Sequence, residues 1–350
     1  MKTVRNILAI LVIALTMSCE THYRMITTLE RNGQVHREIY AFENSPSMEE
    51  HSNSFLFYLS PDWNITRFNT IINHNFFGKE RKFNVKISKD ATSIEQYSQD
   101  VQYDNDKQSF AAPEESVSKK FGWFYTNYSF KAVYKKLKYE VPVPIANYLN
   151  KEEQILWTQG DMNNYKAFNG SEMSDYLNEI SDKFFEWCSI NYFEISLECI
   201  KKLTTGYDFD TDKENIYQEI RKAKIEDMDI NPETVCKILD SFYKTKYFSE
   251  LNKANGEILE NDFETAISII NHVGNVISYE LVIPKNLLKT NAPIIHYDTL
   301  IWKVDGMRLL FDDYSLLAEY RVANIWAFIL SSLILIVAVG SLLWRKIKWR

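Results

Sequence analysis

The feature that most constrains this chain is a run of twenty residues without a charged side chain, from Ile325 to Trp344. At a rise of about 1.5 Å per residue, a helix of this length crosses a hydrocarbon layer of about 30 Å. Four cations follow directly: Arg345, Lys346, Lys348 and Arg350. Cations in this position mark the cytoplasmic side of a membrane span. The alternative, a buried core helix, is disfavoured because it would place four cations directly beside the core. The sequence therefore predicts a transmembrane helix at 323–344 and a cytoplasmic tail at 345–350.

The N-terminus has the three parts of an export signal. Basic Lys2 and Arg5 precede an apolar run at 7–15, and the small residue Ser18 precedes Cys19. We therefore expect residues 1–18 to be a signal peptide and residues 19–322 to be exported.

The five residues that end in Cys19, Leu-Thr-Met-Ser-Cys, resemble the lipobox of bacterial lipoproteins. In that motif the bond before the Cys is cut and the Cys is acylated. Ser18 fits the pattern, whereas Thr16 and Met17 replace the usual Leu and small residue. We expect lipidation at Cys19; the alternative is a plain cleaved signal followed by an incidental Cys.

The charge balance narrows the class of partner. The chain has 350 residues, with 40 Lys and Arg against 47 Asp and Glu. Without the cations of the signal and the tail, 34 positive charges face 47 negative ones. This acidity excludes nucleic acid as a partner, because phosphate binding requires a basic surface. An anionic membrane surface is an unfavourable docking partner for the same reason. Membrane attachment must therefore come from the two predicted anchors, the transmembrane helix and the lipid.

Both ends of the exported part have strand patterns. Residues 23–42 predict a β-hairpin, because two stretches rich in β-formers flank Asn32-Gly33, the usual type I′ turn pair. Residues 88–118 are polar and predict a long surface loop. Further strands are predicted at 55–59, 82–88, 123–133, 276–283, 293–297, 299–304, 307–311 and 314–322.

The middle of the chain has helical patterns. Apolar residues from about Glu172 follow one face of an amphipathic helix. Thr211-x-x-Glu214 is a capping box for a second helix, and Asn231-Pro232 supplies an N-cap and a first-turn proline for a third. Residues 172–250 carry 18 acidic and 10 basic side chains, so the acidity is concentrated here.

These patterns predict an α+β fold. The exported domain is antiparallel and β-rich, is built from N- and C-terminal strands, contains a helical insertion at about 172–250, and is followed by one transmembrane helix. The first strand starts at the lipidated Cys and the last ends at the membrane helix. We therefore expect these two strands to share one sheet, as antiparallel neighbours or one strand apart.

One partial metal motif is present. Asp208, Asp210, Asp212 and Glu219 have the spacing of an EF-hand calcium loop. Lys213 stands where the loop needs Gly, so acidic residues at a helix N-terminus explain the pattern better. The six His form no zinc motif.

No metal site, cofactor or catalytic residue is predicted. The sequence contains no nucleophile elbow, Walker loop or dinucleotide-binding glycine motif. A catalytic acid/base pair of carboxylates remains an alternative, because two such residues can be distant in the sequence and close in the fold.

Three cysteines follow Cys19. On a continuous helix Cys188 and Cys199 would lie about 16 Å apart, beyond the roughly 7 Å between Cα atoms that a disulfide allows. Either could pair with Cys236, so the disulfide state of these cysteines stays open.

Several short segments precede the membrane helix: Ile283-Pro284, Thr290-Asn291-Ala292, residues 298–302 and residues 314–318. With the N-terminal hairpin, they resemble LppM-type bacterial lipoproteins, which have a lipidated N-terminal Cys, a β-rich exported domain and a C-terminal span. The helical insertion has no counterpart there. The resemblance implies a surface protein that contacts glycolipids or other envelope components and has no established enzyme activity. It carries over a role for Cys19 alone.

We therefore expect a membrane-anchored extracytoplasmic lipoprotein with a binding or structural role at the cell envelope, held in the cytoplasmic (inner) membrane. Its partners are the membrane, through the helix and the lipid, and an envelope protein or glycolipid. One alternative is an envelope-associated hydrolase with dispersed carboxylates. Another is a eukaryotic type I membrane protein.

Overall fold

The computed structural model describes residues 22–31, 33–42, 58–59, 62–102, 113–207, 209–222, 230–271, 276–284 and 286–348. The fold is α+β with mostly antiparallel sheets, as predicted. The chain divides into two compact units. The described residues within 1–136, 274–309 and 313–350 form one, called here the β unit. Those within 137–273 and 310–312 form the other, the helical unit.

The β unit contains the strands, one short helix, α1 (Glu95–Asp100), and the apolar helix Ile325–Lys348 described below. Its strands are β1 (His22–Leu29), β2 (Val35–Ala41), β3 (Tyr58–Leu59), β4 (Asn64–Phe76), β5 (Lys79–Ala91), β6 (Val101–Gln102), β7 (Glu114–Phe121), β8 (Tyr125–Tyr134), β9 (Val276–Val282), β10 (Leu287–Thr290), β11 (Ile294–His296), β12 (Thr299–Asp305) and β13 (Tyr314–Ala323). The large sheet has the order β11-β12-β9-β1-β2-β5-β4, and the small sheet has the order β10-β13-β8-β7. A third, two-stranded sheet pairs β3 with β6.

The predicted N-terminal hairpin is confirmed. Strands β1 and β2 pair antiparallel, with Arg24 opposite Tyr40 and Leu29 opposite Val35. Gly33 in the turn has a φ of +94°, a conformation that favours glycine. Alternate residues of both strands are buried, as expected where one face of a sheet covers a core.

The expectation that the first and last strands share a sheet is wrong. β1 lies in the large sheet between β2 and β9, and it pairs with β9 in parallel. β13 lies in the small sheet and pairs with β8 over ten residues. Anchors near one plane restrict strand directions, but they do not decide which strands become neighbours. The apolar β9, buried on both faces, is the better central partner for β1.

Two other local predictions need correction. Residues 88–118 are not one loop, because β5 continues to Ala91 and both α1 and the start of β7 fall in this range. Residues 307–311 form turns rather than a strand, although Leu309 and Phe311 are buried. Apolar side chains buried in a turn imitate a short strand in the sequence. The other predicted strands are present where described, and residues 103–112 lie outside the described range.

The helical unit contains five α-helices in its described residues: α2 (Lys151–Gln159), α3 (Gly170–Leu203), α4 (Phe209–Lys222), α5 (Pro232–Tyr243) and α6 (Tyr247–Asn271). Helices therefore extend beyond the predicted range of 172–250 at both ends. Asn231 caps α5 as predicted, accepting a hydrogen bond from the Thr234 amide. Helix α4 begins at Phe209, before the predicted cap Thr211.

The length of α3 determines whether its two cysteines can form a disulfide. The helix is continuous, so Cys188 and Cys199 cannot pair, and Cys236 is also a free thiol. Burial raises the pKa of the Cys188 and Cys236 thiols to about 12. Cys199 and Cys236 are buried members of the helical core, whereas Cys188 is half-buried. Cys19 and the predicted signal peptide, residues 1–18, lie outside the described residues.

The chain ends in helix α7 (Ile325–Lys348). Its uncharged part, Ile325–Trp344, is long and apolar enough to cross a membrane, and only 6% of its most apolar stretch is buried by protein. Such exposure is unfavourable in water for a helix of this composition. A single residue, Asn324, separates α7 from β13.

Candidate functional site

Asn324 fastens the start of α7 to the turn between β7 and β8. Its side-chain amide donates to the carbonyl oxygens of Gly122 at 2.7 Å and Trp123 at 3.2 Å. Its backbone amide donates to the carbonyl of Phe124 at 2.9 Å, and its side-chain oxygen accepts from the Thr126 hydroxyl at 3.0 Å. Asn324 thus holds a turn of the small sheet against the start of α7.

The turn allows this close approach because it contains Gly122. A Cβ at that position would lie 2.7 Å from the backbone oxygen of Tyr125. Any other residue would push the two strands apart at the point where Asn324 binds.

Aromatic side chains continue the contact along α7. The indole of Trp123 donates to the Ser331 hydroxyl at 3.0 Å, and its ring meets Trp326 edge to face at 5.2 Å. The ring of Phe124 lies 4.9 Å from that of Phe328. Residues 121–125 form what we call the aromatic tip. The aromatic tip and the first two turns of α7 form one structure, which is the candidate membrane interface.

A second polar cluster lies between the two sheets of the β unit. Arg37 of β2 makes a two-pronged ion pair with Glu115 of β7, at 2.8 and 2.6 Å. The guanidinium also donates to Thr27 at 3.0 Å and to the Tyr279 hydroxyl at 3.2 Å, and it lies over the ring of Tyr97. The side chains of Arg37 and Glu115 are 3% and 1% exposed, so the pair is almost fully withdrawn from water.

The protonation states in this buried cluster follow from its charges. Burial opposes the charge on Arg37, but attraction and hydrogen bonds from Glu115 exceed this effect and raise its pKa. Burial, followed by the charge of Glu115, raises the pKa of the Tyr279 hydroxyl well above its ordinary value. Tyr279 therefore stays neutral, and its hydroxyl donates a hydrogen bond to Glu115.

A third cluster lies on the opposite face of the large sheet. Arg24 of β1 binds Glu280 of β9 with two hydrogen bonds, at 2.7 and 2.9 Å. His74 lies 3.8 Å from Glu280, because the bent β4–β5 hairpin brings it over this face. Burial, and then the charge of Arg24, lowers the pKa of His74, although Glu280 acts in the opposite direction. The guanidinium also lies 5.8 Å from the ring centroid of Tyr40.

The helical unit holds its own buried carboxylates. Glu153 of α2 accepts from Lys183 at 3.1 Å and also caps its helix through the Asn150 amide. Glu194 of α3 accepts from Lys213 at 2.9 Å and from the Tyr217 hydroxyl. Every buried carboxylate in the described part of the chain therefore has a cationic partner, since Asp305 is paired with Arg308 and Lys303.

Among the residues that the sequence singled out for lipidation or calcium binding, Asp212 is the one whose side chain the structure describes. Cys19 and Asp208 lie outside the described residues. Asp212 accepts a hydrogen bond from the Tyr243 hydroxyl at 2.8 Å, which is a structural contact. Within the described ranges no three His, Cys, Asp or Glu side chains group as metal ligands.

Sequence reasoning missed the residues that do cluster. Arg37 has a recognisable signal, because it occupies an inward position in the alternation of Val35, Ile39 and Ala41. A charge at such a position predicts a buried partner, although not which one. Asn324 has a weaker signal as the one polar residue between a predicted strand and the predicted membrane span.

Comparison with known proteins gives limited information. No protein-family model and no curated protein matches the sequence. Among solved structures, the chain is similar to the NMR structure of the folded domain of LppM from Mycobacterium tuberculosis. The TM-score is 0.28 and the identity 8%, over 87% of this chain and 91% of that one. This is a weak resemblance at the level of the fold.

Proposed function

We propose that this chain is a membrane-anchored extracytoplasmic protein of the bacterial envelope, with a binding or structural role rather than an enzymatic one. In this proposal it is a lipoprotein of the LppM type, acylated at Cys19 and held in the cytoplasmic membrane by α7. Its partner is an envelope protein or a glycolipid.

The observation that carries the proposal is the junction at Asn324. An exposed apolar helix continues a strand of the small sheet after a single residue, and four hydrogen bonds of Asn324 fasten the two together. A flexible stalk would let the β unit move away from the membrane. This junction instead holds the β unit at the bilayer surface.

The sidedness is supported by the sequence. The signal-like N-terminus and the cations after Trp344 agree on a cytoplasmic C-terminus and an exported 19–322. The non-enzymatic role is supported by the pairing of the buried carboxylates with cations. Each has a structural partner, and where a second carboxylate lies near, as Glu179 does beside Glu153, one lysine, Lys183, binds both. The acidic helical unit is the part suited to a soluble, basic partner.

Protease treatment of intact spheroplasts tests the topology. We expect added protease to remove the exported part and to leave a fragment that contains α7 and resists carbonate extraction. A cytoplasmic protein of the same cells is the control for lysis. Full protection of residues 19–322 in intact spheroplasts, with digestion after lysis, would contradict the proposed sidedness.

Metabolic labelling with a fatty-acid analogue tests the lipid anchor. Cys19→Ser is expected to abolish the label but to leave the protein in the membrane fraction, because one acyl chain binds a bilayer more weakly than a transmembrane helix. Cys188→Ser is the matched control and should label normally. Unchanged labelling of Cys19→Ser would show that the lipid is attached elsewhere.

A further inference from the structure

The aromatic tip combines properties that are unfavourable for a turn in water. Phe121, Trp123 and Phe124 are 61%, 46% and 42% exposed, although each is large and apolar. Ile325 and Trp326 of α7 are also exposed beside them. Together they form one continuous apolar surface, and such a surface marks an interaction site.

The backbone of the turn has the hydrogen bonds that a lipid environment demands. Within a bilayer an unpaired carbonyl is strongly unfavourable, because no water replaces the lost partner. Three consecutive carbonyls, those of Gly122, Trp123 and Phe124, accept hydrogen bonds from Asn324. The indole N–H of Trp123 is satisfied by Ser331. A turn exposed to water would not need these internal partners.

The contact with Ser331 fixes the depth of the tip. Ser331 is the seventh residue of α7, which places it about 9 Å along the helix from Ile325. All twenty uncharged residues are needed to cross about 30 Å of hydrocarbon. The helix therefore has no spare length with which to lift Ser331, and the Trp123 that binds it, out of the bilayer.

Cations lie directly behind the aromatic tip. Residues 118–128 and 320–324 contain Lys119, Lys120 and Arg321 but no carboxylate, in a chain that is acidic overall. Arg321 lies 4.5 Å from the ring centroid of Tyr125, and Lys119 lies 5.9 Å from that of Tyr128. Cations behind an apolar tip match the order of phosphate and acyl chain in a phospholipid leaflet.

We propose that the aromatic tip inserts into the membrane beside α7, and that Lys119, Lys120 and Arg321 contact lipid phosphates in the same leaflet. The inference rests on the proposed membrane anchoring and extends it, because it names phospholipid as the partner of a part of the β unit. The protein is then held by two elements, a span and an inserted turn.

Photocrosslinking of the full chain in vesicles of phosphatidylcholine and phosphatidylglycerol tests the proposal. Benzoylphenylalanine replaces Phe124 in one variant. In the control it replaces Glu114, which is exposed at the other end of β7, about 23 Å from Phe121. We expect illumination to attach phospholipid at position 124 and none at position 114. Carbonate extraction of each sample reports whether α7 is inserted.

The outcomes separate the two claims. Release of the chain by carbonate would overturn the membrane anchoring and this inference with it. A chain that resists carbonate but forms no lipid adduct at position 124 would overturn the inserted tip alone. A covalent dimer in place of the lipid adduct would show that the tip meets a second copy of the chain, and would overturn it as well.

Discussion

The β unit and the helical unit stabilise their polar side chains in different ways. In the β unit, Glu115 lies 78 residues from Arg37, and Glu280 lies 256 residues from Arg24. In the helical unit, the capping boxes at Asn150 and Asn169 join residues three apart. The ion pairs of Glu153 and Glu194 there end on lysines that are 34% and 42% exposed.

This difference shows which contacts specify each unit. A buried ion pair between two sheets keeps both charges paired in one packing of the sheets only. A shift of either strand would leave a charge buried, without its partner and without water. An exposed lysine can return to water when its partner is lost. The polar network of the β unit therefore fixes how its sheets pack, whereas that of the helical unit adds local stability to helices defined by their apolar faces.

Removing Glu115 should have the largest effect. Glu115→Ala leaves Arg37 charged and buried without its partner, which should destabilise the β unit by about 3 to 5 kcal/mol. Hydrogen exchange followed by mass spectrometry, on the full chain in detergent, reads each unit separately.

The matched change in the helical unit is Glu194→Ala, which should cost roughly 1 to 2 kcal/mol because Lys213 can rehydrate. The double change Arg37→Met with Glu115→Leu should restore much of the stability lost in Glu115→Ala. Equal losses for Glu115→Ala and Glu194→Ala would remove the distinction between the units.

Asn324→Ala should have the next largest effect, confined to the hairpin of β7 and β8. It removes the donor to the Gly122 and Trp123 carbonyls and the acceptor for Thr126, and should make local opening easier by roughly 2 kcal/mol. Faster hydrogen exchange in residues 121–126 is the expected signal. Asn127→Ala, an exposed change in the same hairpin, should leave exchange unaltered, and an equal effect there would show that Asn324 has no special role.

A smaller loss is expected from a helix cap. Asn169 accepts hydrogen bonds from the amides of Ser171 and Glu172 at the start of α3. Asn169→Ala should therefore destabilise the helical unit by about 1 kcal/mol. Asn178→Ala, on the exposed surface of the same helix, should be neutral or slightly stabilising because Ala has the higher helix propensity. Exchange in the β unit should not respond to either change.

The same contrast explains what the sequence could predict. Asn231-Pro232, the hairpin at residues 23–42 and the uncharged run were recognised because each signal lies within a few neighbouring residues. The partners of Arg37 and Asn324 were not, because nothing near Arg37 identifies Glu115 and nothing near Asn324 identifies the turn at Gly122. The prediction that β1 shares a sheet with β13 failed for the same reason, since strand order depends on packing between distant segments.

The smallest effect we predict is a pH dependence of the stability of the β unit. The pKa of His74 in the folded state lies below its ordinary value of 6.5, through burial and the charge of Arg24, with Glu280 acting against both. Between these two pKa values the unfolded chain binds more protons than the folded one, so stability falls as pH falls. Above the ordinary value His74 is neutral in both states and contributes no slope.

Hydrogen exchange of β1, β4 and β9, measured from about pH 8 to about pH 5 and corrected for the intrinsic rate, should show this loss of stability. His74→Gln should flatten it, because Gln does not titrate and leaves the pair of Arg24 and Glu280 in place. If the stability of His74→Gln fell with pH as steeply as that of the unchanged protein, the pH dependence would come from other groups. His74 would then not be the titrating member of the cluster on this face of the large sheet.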